Sequence, residues 1–167
     1  DIEAAAVAAN GDLFVGGAFQ GDEFSGWANN IARWDGRRWH NLGDGVSGGL
    51  TRIRAIAAHG ANVYVAGDFT HAGGIAARQI ARWDGAAWHA LGNGAGPQIE
   101  EHGSTRAGSI LALAVGANGD LFVGGIFTHI DGVPANSVAR WDGAGWHNLG
   151  AGIVDRGVLG GDELFPA

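Results

Sequence analysis

Three short stretches bring together side chains that could do chemistry. "QGDEFSGWANN", from Gln20, sets Asp22 and Glu23 near Trp27: carboxylates that could hydrogen-bond sugar hydroxyls beside an indole that could stack on a sugar ring, or simply pack its own loop. "QIEEHGSTR", from Gln98 to Arg106, clusters Glu100, Glu101 and His102, a set suited to a cation or an acid–base pair. Adjacent carboxylates on one loop are more often just solvated, and no partner base is fixed by spacing, so no catalytic residue is assigned. Thr70-His71 and Thr128-His129, with Asp131 nearby, are weak metal candidates. The corresponding place near Gln20 has no Thr-His, which argues against an essential metal set, and a threonine hydroxyl can serve its own turn. The expectation is a non-catalytic chain with no cofactor and no metal.

Composition narrows the elements that must carry these loops. The chain has 167 residues, enough for one domain with a real core, with only 16% charged residues, 32 glycines and 3 prolines. Many tight turns between short strands suit that mixture. Without cysteine there is no disulfide framework, no thiolate metal site and no thiol nucleophile. A net charge of −7 with scattered arginines disfavours nucleic acid or an anionic membrane as partner. No apolar run approaches the roughly 18 residues of a membrane span. A start at Asp1 reads as a mature, excised or recombinant piece, whose removed leader would leave no trace.

The order of the chain is a repeat. "ARWDGAAWHALG" from Ala81 to Gly92 has near-copies at Ala32 to Gly43 and Ala139 to Gly150. Each copy is preceded by a small-apolar stretch ("IEAAAVA", "IRAIAA", "ILALAV") and by "LFVGGAF", "VYVAGDF" or "LFVGGIF". The units are approximately 1–49, 50–107 and 108–152, within a single repeat domain over 1–167 that ends in a tail at 153–167. The stretch "GPQIEEHGSTRAG" reads as a loop inserted on an otherwise constant frame. Each unit reads as four short strands, because each piece is a β-branched or aromatic run bounded by Gly, Asn or Asp. Asp-Gly at 35–36, 84–85 and 142–143 joins the third strand to the fourth by a hairpin, pairing Trp34 with Trp39 and placing Ile31 opposite Leu42.

Residues present in all three copies are explained more simply by a shared frame than by three active sites. Trp34, Trp39, Trp83, Trp88, Trp141 and Trp146 are expected to bury one unit on the next. Arg33, Arg82 and Arg140 are expected to bridge to a carbonyl or a repeated aspartate, with their stems on tryptophan. Asp35, Asp84 and Asp142 set the turns, and His40, His89 and His147 are expected to be satisfied structural histidines.

The stretch "VYVAGDFTHAGGIAARQIARWDGAAWHALG", from Val63 to Gly92, resembles a repeat of bacterial secreted and cell-surface proteins grouped with kelch and galactose-oxidase-like β-propellers. The resemblance covers almost the whole chain up to Gly152. It implies four-stranded blades and a role in display or binding at the cell surface or outside the cell. It does not carry over that superfamily's copper chemistry, since there is no cysteine and the one tyrosine, Tyr64, stands where the other copies have Phe14 and Phe122. Propellers have about four to eight blades, so three cannot close a ring. The expected partners are therefore a second copy, giving six blades, or the remainder of a longer propeller, with glycans as further ligands. The alternative all-β architecture is a β-trefoil, which also has three four-stranded units but closes within one chain.

Overall fold

The computed structural model describes residues 1–21, 28–96, 98–99 and 105–153, and there is no helix among them. Each unit is one four-stranded antiparallel sheet with its strands in sequence order. The first comprises Ile2–Val7, Leu13–Gln20, Asn29–Trp34 and Trp39–Asn41. The second comprises Arg52–His59, Asn62–Asp68, Ile80–Trp83 and Trp88–Ala90. The third comprises Ser109–Val115, Leu121–Ile126, Val138–Trp141 and Trp146–Asn148. A trefoil would weave strands of all three units into one barrel. Here each four-stranded sheet is complete within its own unit, and the sheets meet face to face.

First strands of successive units lie side by side, tied between the first two units by the ion pair of Glu3 with Arg52. Each first strand carries a bulge, at Ile2/Ala4, Ile53/Ala55 and Ile110/Ala112, and each bulge faces a glycine of the second strand. At Gly17, Gly67 and Gly125 an added Cβ would run into the carbonyl of Asp1, Arg52 or Ser109. The repeated Gly therefore marks a close approach of backbone to backbone.

The expected hairpin register is seen three times, with Trp34 on Trp39, Trp83 on Trp88 and Trp141 on Trp146. The rings of each pair lie 5.4 Å apart and tilted. The first ladder stops at Ala32 and Asn41, so Ile31 and Leu42 meet not as a strand pair but inside one buried cluster. Short extra strands appear between units: Val46–Ser47 joins a small hairpin, His71–Ala72 with Ile75–Ala76, and His129–Ile130 pairs with Val133–Pro134 in unit 3. A further ribbon pairs Gln98–Ile99 with Thr105–Arg106 at the base of the inserted loop.

Candidate functional site

Both junctions between units are built alike. Trp88 of the second unit donates its Nε1–H to the carbonyl of Leu42 at 2.7 Å, and Trp146 of the third donates to Leu91 at 2.8 Å. The accepting leucine ends its own unit's "WHNLG" or "WHALG" run, just before a left-handed glycine, Gly43 or Gly92. The Leu42 carbonyl also accepts from Gly45 N at 3.0 Å, so both of its lone pairs are used. Both leucines are 1% exposed. Leu42 sits among Ile53, Val65, Phe69, Ala77, Ala81 and Trp88, and Leu91 among their counterparts in unit 3.

A strip of main chain runs beside each of these contacts. Gly73 N donates to Gly45 O at 2.8 Å and Thr70 N to Ser47 O at 3.0 Å, while Asp131 N donates to Gly94 O at 3.0 Å and Gly96 N to His129 O at 2.8 Å. Each junction thus combines an apolar knob, an indole N–H bond and short strand pairing. The small hairpins that supply the pairing were missed from sequence, because two-residue strands show no period.

At the ends of the stack the same parts have no such neighbour among the described residues. Trp39 is 41% exposed where Trp88 and Trp146 are 7% and 6%, and Leu149 is 42% exposed. Ile2 and Ile153 are open to solvent where Ile53, Ile110, Val46 and Ala95 are buried. Beside Trp39 lies a mainly apolar cavity of about 300 Å³ lined by Ile2, Val15, Phe19, Ala28, Ala32 and Trp39, together with Asp1, Gln20 and Gly21. The six apolar ones stand at the repeat positions of Ile53, Val65, Phe69, Ala77, Ala81 and Trp88, which share one buried cluster with Leu42. The opposite end is held ready: Gly152 N donates to the Leu149 carbonyl at 3.1 Å, and Asn136 fixes the edge through Ala151 O and Ile153 N.

The repeated polar residues hold the frame. Asp35 accepts from the N–H groups of Arg37 and Arg38, both at 2.8 Å, and its second oxygen lies 2.6 Å from His40 Nε2. Asp84 with His89 and Asp142 with His147 repeat the arrangement at 2.6 Å. The bond from His40, then those from the turn N–H groups, hold the Asp35 carboxyl well below the usual carboxylate range. For Asp84 the Ala87 N–H leads and His89 follows; for Asp142 the Ala144 and Gly145 N–H groups lead and His147 follows. Arg33 and Arg140 reach not these aspartates but Asp12 and Asp120, just before the second strand, at 3.3 and 2.7 Å, and Arg82 reaches Asn62, the first residue of that strand, at 3.2 Å.

Of the sequence-based candidates, Asp22, Glu23, Trp27, Glu100, Glu101 and His102 lie outside the described residues. His71 and His129 each hold the hydroxyl of the preceding threonine, at 2.9 and 3.0 Å. Asp131 instead clamps Asn93 of the neighbouring unit, accepting from its N and Nδ2 at 2.8 and 2.7 Å. Among the described residues, no three His, Cys, Asp or Glu gather as a metal site would require. What sequence reasoning missed is the leucine carbonyl as acceptor. Its signal was the fixed offset of Leu42, Leu91 and Leu149 from their tryptophans.

Three four-stranded meanders, packed face to face with their first strands together, are the arrangement of neighbouring blades. A family model described as a domain of unknown function (DUF5122) beta-propeller matches residues 116–142, the second and third strands of unit 3. The fold is of the β-propeller type. A search of curated proteins returned no match. In propeller terms, the exposed Trp39 and Leu149 faces are the outer faces of the first and last blades of a three-blade segment.

Proposed function

We propose that this chain is a non-catalytic propeller segment whose work is association: its two outer blade faces bind further blades, and the completed ring serves as a display scaffold outside the cell. One observation supports this above others. Residues buried at both internal junctions stand exposed at the two ends, beside a preformed apolar cavity. An apolar patch rimmed by polar groups marks an interaction site. Placement outside the cell rests on the resemblance of the repeats alone. Glycan binding by the loop that carries Trp27 belongs to the same reading as a further step, with no observation among the described residues to favour it over the end faces.

Light scattering across a range of concentrations tests the association. The expected mass rises above that of the 17.0 kDa chain as concentration increases. A mass fixed at one chain throughout would overturn association of the chain with itself.

A further inference from the structure

Each outer face has a known complement in the chain itself. The first-blade face is a cavity that, at the two internal junctions, is filled by a leucine from the preceding blade. The last-blade face presents such a leucine, Leu149, with Ile153 at the place of Val46 and Ala95. The donor and the acceptor are also present. No described residue accepts the Nε1–H of Trp39, and among the described residues the Leu149 carbonyl takes one hydrogen bond, from Gly152, where Leu42 takes a second from Trp88.

Building on the association reading, we propose that the occupant of the Trp39 cavity is a second copy of this chain: Leu149 and Ile153 of one copy enter the cavity of the other, and Trp39 Nε1–H donates to the Leu149 carbonyl. The two copies then make this contact twice about a two-fold axis, each giving its last blade to the other's first. Every half-contact is used, and six blades close a ring within the observed range of propellers. The internal junctions supply the template, because the new contact repeats their residue types at six lining positions, the knob and the indole bond.

Complementation between two broken faces tests the pairing. Trp39→Ala empties the socket, and Leu149→Arg sets a long charged side chain against mainly apolar walls, where Asp1 is the one carboxylate among the described lining residues. The wild type is expected to run as a dimer and each variant alone as a monomer, because in either homodimer both contacts are broken. Mixing them leaves one intact contact, between Trp39 of the Leu149→Arg chain and Leu149 of the Trp39→Ala chain, so a heterodimer should return, weaker than wild type. Trp39→Phe, which keeps a ring but removes the N–H, should weaken the dimer on the order of tenfold by losing two hydrogen bonds. It also guards against misfolding of the alanine variant.

A wild-type dimer that persists in Leu149→Arg, or no recovery on mixing, would refute the pairing while leaving association standing. A monomeric wild type would remove the association reading itself. Masses growing beyond the dimer would refute the closed ring.

Discussion

Leu42 and Leu149 offer an internal control, because each is the fourth residue of the same pentapeptide, "WHNLG", and only Leu42 has the next blade packed on it. Leu42 is 1% exposed among Ile53, Val65, Phe69 and Trp88, so truncation to alanine leaves a cavity that packed walls fill only in part. Leu→Ala at such a site costs about 2–5 kcal/mol. For a chain of this length that lowers the melting temperature by roughly 4–20 °C. Leu149 is 42% exposed, so only part of its side chain is packed and Leu149→Ala should cost about 1 kcal/mol, less than at Leu42. The comparison is made by urea and thermal denaturation at protein concentrations low enough for the single chain to prevail. Equal losses at the two leucines would refute the account of the junction, since local sequence and not the neighbouring blade would then set the energy. At high concentration Leu149→Ala should begin to show a loss of its own, as weakened dimerisation.

Gly67→Ala should destabilise severely, because the new Cβ meets the Arg52 carbonyl, whereas Gly145→Ala, with open space around it, should be nearly neutral; similar melting points would contradict the close approach. Asp35, Asp84 and Asp142 are held below their unfolded range of about 3.9, so their stabilisation is full above that range and fades as the pH falls through it toward the lowered native values. Asp84→Asn should therefore lower the denaturation midpoint at about pH 6 and narrow its gap to wild type in acid; a gap constant with pH would show that the carboxylate charge is not what matters. If the loop of Asp22, Glu23 and Trp27 binds glycans, Trp27→Ala should abolish retention on a glycan array while the melting temperature stays within a few degrees; undiminished retention, or none by the wild type, would end that assignment.

Much of the frame could be read from sequence. The Asp-Gly turns fixed the pairing of Trp34 with Trp39 and of its two counterparts, and the four runs of each unit became four strands, because alternation and turn chemistry are local. Features that depend on neighbours could not be read. Trp39, Trp88 and Trp146 share one sequence context, yet only the last two are covered by a leucine of a neighbouring blade. Arg33 lies in "ARWDG" beside an aspartate, but its guanidinium reaches Asp12 across the sheet while Asp35 is occupied by its turn and His40. Asn30 and Gln79 adopt φ of 64°, a conformation that favours glycine, because their amides bridge to Val46 and Ala95 in the connecting edge. The candidate glycan loops differ from copy to copy, so the repeat gave no template for them.

The indole bond runs one way, from each blade back to the leucine of the blade before it, so a segment of any length carries one unlike end of each kind. Such a contact places no limit on how many blades follow one another; only the curvature of the ring does. In a ring closed only by copies of one chain, as proposed above, the blade count of the chain must divide that of the ring. Among closed propellers of about four to eight blades, six is the only multiple of three. Deleting one repeat would leave a two-blade chain commensurate with rings of four, six or eight, and adding one would give a four-blade chain able to close alone or as a pair. In such a self-closed ring the number of repeats per chain is the variable that sets the stoichiometry.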